Sequence, residues 1–179
     1  QDLAAVGSTG PVSFLILGLC MGLTSGFAIP VSQTFGAKDY SKMRQYVYNG
    51  IIIAIVFSIL YAIITVVFCK PLLRILQTPE EIINHASDYI IIIFAGIPFG
   101  FLYNFSSGIL RSVGDSKTPL YFLLFSSVLN VVLDLVCIII FKLGIRGAAI
   151  ATIFSQLVSG ILCLIYIKKK FPILKLQSE

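Results

Sequence analysis

The stretch LYFLLFSSVLNVVLDLVCIII, residues 120–140, decides the fold of this chain. At about 1.5 Å of rise per residue, it is long enough to cross a bilayer, which takes about 20 residues. Its one charged residue is Asp134, and Asn130 lies one helical turn earlier on the same face. A charge at membrane depth costs at least about 2.5 kcal/mol, so such residues usually line an ion or substrate path. The alternative is a protonated, hydrogen-bonded Asp134 that packs two helices together.

Similar apolar stretches occur on both sides of this one. The chain of 179 residues is 58% hydrophobic and 12% charged, with a mean hydropathy of +0.99, which exceeds what a soluble domain needs. The stretches do not alternate polar and apolar residues, as the strands of a closed barrel would. We therefore predict an all-α polytopic membrane protein with five transmembrane helices. The spans are placed near residues 12–35, 50–69, 89–107, 120–140 and 147–167.

The net charge of +5 is explained by topology better than by a nucleic-acid partner. If the loop at residues 36–49 is cytoplasmic, most basic residues fall on the inner side, as the positive-inside rule requires. The inner set is Lys38, Lys42, Arg44, Arg111, Lys117, Lys168, Lys169, Lys170 and Lys175, and the outer set is Lys70, Arg74, Lys142 and Arg146. Residues 168–179 then form a basic cytoplasmic segment.

Cysteine and histidine give no sign of a catalytic or metal centre. Cys20, Cys69, Cys137 and Cys163 lie in or beside apolar segments without a CxxC spacing, which is typical of small core residues. His85 is the one histidine, so a catalytic dyad or a histidine-based metal site is not expected. We predict that the chain is not an enzyme and carries no cofactor.

Local signals shape the third and fourth spans. Residues 78–81, Thr-Pro-Glu-Glu, are typical of a helix start, and Thr118-Pro119 repeats the cap-and-proline order. Residues 96–100, Gly-Ile-Pro-Phe-Gly, predict a bend within the third span, because proline removes a backbone hydrogen bond. Residues 142–146 predict a short outer turn, so the last two spans form an antiparallel hairpin.

This hairpin carries polar residues on two facing helices. Counting about 1.5 Å per residue from the outer ends matches Asp134 with Thr152, Asn130 with Gln156, and Ser127 with Ser159. Such oxygens suit a hard cation such as Na⁺, by analogy with other hard ions, and a carboxylate can also carry a proton. The alternative is an interhelical hydrogen-bond seam worth about 0.6 kcal/mol per contact. Gln33 and Asn104 are further candidates for lining a cavity.

Five segments in order resemble the multidrug and toxic compound extrusion (MATE) family from residue 1 to about residue 167. They are LAAVG (3–7), VSQ with Gly36-Ala37 (31–37), GILRSVGDSKTP (108–119), NVVLD (130–134) and GAAIAT (147–152). The resemblance implies a secondary antiporter of twelve helices in two six-helix lobes, of which residues 1–167 supply helices two to six of the first lobe. Family members exchange Na⁺ or H⁺ for organic cations, drugs or dyes by alternating access.

The resemblance also implies partners and site residues. Asn130, Asp134 and Thr152 match the family's first-lobe cation site, with Na⁺ placed at Asp134 and Asn130, while Leu135 stands where many members have proline. The family's first helix adds an acidic partner and would, with the second lobe, complete the transporter. The chain begins without Met, and we expect it to be cut from a longer one. The expected location is a bacterial cytoplasmic membrane, as a multi-pass protein within the lipid bilayer.

Three other functions compete with the antiporter. A flippase for lipid-linked oligosaccharides shares the general architecture, and basic residues lining a central cavity would favour it. A membrane-embedded enzyme would need paired acids or a Ser-His pair at depth, and Asp134 is the one deep acid. A structural or accessory membrane subunit would keep its function when Asp134 is replaced by Leu.

Overall fold

The computed structural model describes residues 2–75, 78 and 80–171, with side chains from residue 10 onward apart from that of Glu81. Within these residues all regular structure is helical, which confirms the all-α fold class. The helices are α1 (Asp2–Gly36), α2 (Tyr40–Val67), α3 (Cys69–Ile75), α4 (Glu80–Ala95), α5 (Ile97–Ser112), α6 (Lys117–Leu135) and α7 (Gly144–Lys170). A π-helical turn, Val136–Ile140, continues α6. Below, inner and outer follow the orientation predicted from the charges.

Five membrane crossings are consistent with these helices. Helices α1, α2, α6 with its π-helical turn, and α7 are each long and apolar enough to span. Helices α4 and α5 together make a fifth span that bends by 43°. The break lies at Gly96, so the predicted bend is confirmed, and Pro98 explains it because its nitrogen cannot donate a hydrogen bond.

Two predicted loop boundaries are wrong in the same direction. Helix α2 begins at Tyr40 and not near residue 50, because the Asp39 carboxylate caps it by accepting a hydrogen bond from the Lys42 N–H at 3.1 Å. That bond also lowers the pKa of Asp39. Helix α7 begins at Gly144, so the predicted turn at 142–146 is shorter. Helices extend past the apolar region, and hydropathy therefore underestimates their length.

The bundle is organised around α5, which packs against α1, α2 and α7. Its interior is filled by the fully buried side chains of Phe94, Met43, Leu73, Ile90 and Leu110. Helix α6 is the least buried of the long helices and packs mainly against α7. Large apolar side chains cover the faces of α2 and α6 that point away from the bundle, as expected of surfaces that contact lipid.

A compact inner loop joins α5 to α6. Gly114 adopts φ 90°, which glycine tolerates, and the Asp115 N–H donates to Leu110 O at 2.9 Å. The Asp115 carboxylate accepts hydrogen bonds from the Thr118 N–H at 3.0 Å and the Thr118 hydroxyl at 2.8 Å. Burial by itself would raise the pKa of Asp115, but these hydrogen bonds outweigh it and lower the pKa.

We expect Asp115→Ala to destabilise the protein by about 1 kcal/mol, the usual cost of losing a helix cap. Because the folded-state pKa is lowered, the contribution of Asp115 is present above its ordinary pKa of about 3.9 and is lost as the pH falls further. Thermal unfolding of the purified protein in detergent at neutral pH measures the loss. The control is Ser116→Ala, since the Ser116 side chain makes no capping hydrogen bond. Equal effects of the two changes would contradict this role of Asp115.

Candidate functional site

Asn130 and Thr152 join α6 to α7 in the outer half of the hairpin. The Asn130 side-chain amide donates to the Thr152 hydroxyl oxygen at 3.4 Å, and that hydroxyl donates to Ala148 O at 2.9 Å. The predicted depth matching paired Asn130 with Gln156 and Asp134 with Thr152, which is wrong. Because α7 begins three residues earlier than predicted, Thr152 lies nearly a turn deeper, level with Asn130.

Asp134 lies one turn further out on the same face of α6. Its carboxyl Oδ1 is buried and has no hydrogen-bond partner among the described residues. A buried oxygen without a donor costs free energy until a cation, a proton or another donor satisfies it. The buried Oδ1 of Asp134 is therefore available to accept a hydrogen bond or to contact a cation.

A hydrogen-bond seam continues from this site toward the inner side. Ser126 donates to Ser155 O at 2.9 Å, and Ser159 donates to Phe122 O at 3.0 Å. Ser127 instead is exposed and bonds within its own helix, to Leu123 O at 3.0 Å. The predicted pairing of Ser127 with Ser159 is therefore wrong, because the face of α6 toward α7 carries Ser126. The hairpin therefore contains both an interhelical hydrogen-bond seam and the Asp134 carboxylate, whose Oδ1 has no hydrogen-bond partner among the described residues.

A cavity of about 190 Å³ lies between α1, the α4–α5 break and α7. Of the predicted cavity-lining residues, Asn104 and Gln156 line it, whereas Gln33, Ser127 and Ser159 do not. Gln33 is exposed near the inner end of α1, about five turns from Ser13. The polar or sulfur-bearing lining residues are Ser13, Cys20, Met21, Tyr89, Asn104, Thr152 and Gln156. Thr152 thus connects the cavity to the Asn130–Asp134 face.

Sequence reasoning missed Ser13 and Tyr89. Tyr89 follows Asp88 at the start of an apolar run, which indicates an interfacial aromatic residue as readily as a cavity wall. No spacing within α1 or α4 links these two residues to α6 and α7. The role of Ser13 and Tyr89 as lining residues is therefore visible only once the helices are packed together.

Two glycines allow α7 to approach the α4–α5 break. A Cβ on Gly96 would clash with the Cγ2 and Cβ of Ile153. A Cβ on Gly100 would lie 2.8 Å from the Gln156 amide oxygen. The Gly100 carbonyl also accepts a hydrogen bond from the Asn104 amide at 2.8 Å. Gly96 therefore fixes how closely α7 approaches the α4–α5 break, whereas the contact at Gly100 involves the movable end of the Gln156 side chain.

The middle of α4 and the outer end of α7 are joined by an ion pair. The Arg146 guanidinium and the Asp88 carboxylate are 2.6 Å apart, with side chains 60% and 43% exposed. At such exposure the pair contributes at most about 1 kcal/mol. Among the described residues no group of three His, Cys, Asp or Glu side chains is placed to hold a metal ion.

Comparisons with known proteins agree with this architecture. The family model described as MatE matches residues 1–136. The chain is 36% identical over 172 residues to the probable multidrug resistance protein YoeA of Bacillus subtilis, covering 94% of this chain and 37% of that protein. It is 40% identical over 166 residues to the probable multidrug resistance protein YpnP of the same organism, covering 93% and 37%. The chain thus spans well under half the length of these relatives.

A solved structure matches over nearly the whole chain. It is described as the inward-facing conformation of a multidrug resistance MATE family transporter of the MOP superfamily. The TM-score is 0.88 at 28% sequence identity, covering 95% of this chain and 39% of that chain. Helix arrangement and sequence therefore point to the same family.

We expect Gly96→Ala to lower the stability of the protein by about 1–3 kcal/mol, the usual cost of overpacking a well-filled interior. The added methyl group would meet the branched Cβ of Ile153, which cannot swing aside. Thermal unfolding in detergent measures the effect. Gly108→Ala is the matched control, since its methyl group would make ordinary contact with Ala28 Cβ at 3.6 Å. A Gly96→Ala protein as stable as this control would contradict the close contact between the α4–α5 break and α7.

Proposed function

This chain belongs to the MATE family, whose members are membrane transporters and not enzymes, and from that premise we propose that it is part of a secondary antiporter. The proposed transporter exports organic cations or drugs from a bacterial cell in exchange for Na⁺ or H⁺. In this proposal residues 1–167 form most of the first lobe, and a further helix and a second lobe complete the protein.

The observation that carries the proposal is the unpartnered Oδ1 of Asp134 beside the Asn130–Thr152 hydrogen bond. A purely structural aspartate would satisfy its buried carboxylate oxygen within the bundle. Here one oxygen stays available for the coupling ion, with amide and hydroxyl oxygens close by. Oxygen donors of this kind suit Na⁺, and the same carboxylate can carry a proton.

The coupling mechanism follows from the difference between two states. An ion can shift an equilibrium between conformations only by binding one of them more tightly. Binding at Asp134 satisfies the buried oxygen and so favours the conformation in which that oxygen is buried. Thr152 contacts both Asn130 and the cavity, so ion binding and drug binding influence each other through α7.

The character of the cavity favours this function over a flippase for lipid-linked oligosaccharides. The described lining combines neutral polar side chains with apolar ones and includes no Lys or Arg. A site for a diphosphate-linked sugar would offer basic or bidentate donors to the phosphates. A structural subunit would not need the unsatisfied carboxylate.

We expect Asp134→Asn to abolish gradient-driven efflux while leaving the protein in the membrane. The amide can neither carry the exchanged charge nor release a proton, so the ion no longer drives the cycle. The experiment expresses the full-length reading frame in efflux-deficient bacteria and follows ethidium extrusion under imposed Na⁺ or pH gradients. The gradient that drives the wild-type protein identifies the ion.

The matched control is Asp88→Asn, the same chemical change at an exposed ion pair with Arg146. This control should retain gradient-driven efflux, because an exposed pair contributes little. Wild-type rates in a well-expressed Asp134→Asn protein would refute the coupling role of Asp134. Absence of efflux from the wild-type protein would instead favour the flippase or the accessory subunit.

A further inference from the structure

We propose that the π-helical turn of α6 and its contact with Gly147 act as a register lock that positions Asp134 for ion binding. The lock consists of Val136–Ile140 on α6 and Gly147 on α7. Neither part binds the ion itself, and both are positioning elements. This inference rests on the proposed coupling role of Asp134.

The contact at the lock leaves no room for a methyl group. A Cβ on Gly147 would lie 2.9 Å from the Cys137 Cβ and 3.1 Å from the Leu143 Cβ. Both neighbours are first side-chain atoms that move only with their backbone. Glycine at position 147 therefore lets the backbones of α6 and α7 approach more closely than any other residue would allow.

Cys137 is the second residue of the π-helical turn. Phe141 N–H donates to Val136 O at 3.1 Å, five residues back, where an α-helix would use four. A π-helical turn thus accommodates an additional residue. Since one residue corresponds to about 100° of α-helix, removing it would turn the residues beyond the turn onto another face of α6. π-helical turns frequently occur at functional sites, and this one begins two residues after Asp134.

The lock and the serine seam hold the site from its two sides. At the outer end Cys137 lies against Gly147, and toward the inner side Ser126 bonds to Ser155 O. Asn130 and Thr152 meet between these two fixed points, at 3.4 Å. Because Asp134 Oδ1 has no hydrogen bond of its own, packing of the helix on either side must fix its position. A shift at the lock therefore moves Asp134 relative to Asn130 and Thr152.

The test substitutes the lock and reads the ion dependence of the full-length transporter. Gly147→Ala forces the outer ends of α6 and α7 apart, and an ion site needs its groups placed within about 0.5 Å. We expect the Na⁺ or proton concentration for half-maximal efflux to change by roughly fivefold or more. The same ion's effect on the thermal midpoint of the purified protein gives a second reading that does not depend on transport.

A size exchange distinguishes positioning from general damage. Cys137→Gly removes the nearer of the two Cβ atoms that Gly147→Ala would meet, so the double variant should recover at least half of the shift in ion dependence on a logarithmic scale. Gly108→Ala, whose added methyl group makes ordinary contact at 3.6 Å, should leave the ion dependence unchanged. A structural defect alone would lower the amount of protein or its maximal efflux rate. It would not change the ion dependence in a way that Cys137→Gly reverses.

Each outcome bears on the proposal. An ion dependence within about twofold of wild type for Gly147→Ala, or a shift that Cys137→Gly fails to reverse, overturns it. If Gly147→Ala is not recovered from membranes, the Cys137→Gly variant is the test, because it loosens the same contact without creating a clash. An unchanged ion dependence of Cys137→Gly then overturns the lock. Asp134→Asn is measured in parallel. If Asp134→Asn loses coupling while the lock variants keep the wild-type ion dependence, the lock alone is refuted. If Asp134→Asn couples normally, the proposed function is refuted.

Discussion

One enclosed carboxylate oxygen on an apolar helix is the constraint on which this part of the molecule depends. Asp134 belongs to α6, the least buried of the long helices, and one of its oxygens is nevertheless enclosed without a hydrogen bond. Leaving such a group unsatisfied costs free energy. Packing of α6 against α7 maintains the arrangement, and a bound cation or proton would relieve its cost. A conformation that is costly when empty and favourable when loaded is suited to ion-coupled transport.

Close backbone approach makes this arrangement achievable. Gly96 and Gly147 each occupy a position where a methyl group would lie within 3 Å of a Cβ atom on another segment. These glycines bring α7 against both the α4–α5 break and the end of α6. Helices in a bilayer gain no hydrophobic free energy from associating with one another, so close van der Waals packing and interhelical hydrogen bonds must supply the affinity. The same contacts bring the cavity and the Asp134 face together on α7, through Thr152.

Much of the fold could be predicted because each membrane helix can be recognised from the residues of its own segment. Five apolar stretches, the bend at Gly96 and the final hairpin all follow from hydropathy and from proline and glycine chemistry. Helix ends could not be placed equally well, since capping groups such as Asp39 extend helices beyond the apolar region. For the candidate site, the periodicity of α6 identified Asp134 and Asn130, but the assumed start of α7 paired them with the wrong partners.

By itself the sequence determined the fold class, the approximate spans, and the polar faces of α6 and α7, because each depends on residues within one helix. The tertiary structure decided which residues meet. It paired Asn130 with Thr152, directed Ser126 rather than Ser127 toward α7, and brought Tyr89 to the cavity that Thr152 lines. It also introduced the π-helical turn, which no local signal predicted. The physical reason is that register between helices is set by contacts such as Cys137 against Gly147, where a single atom decides how closely two backbones approach.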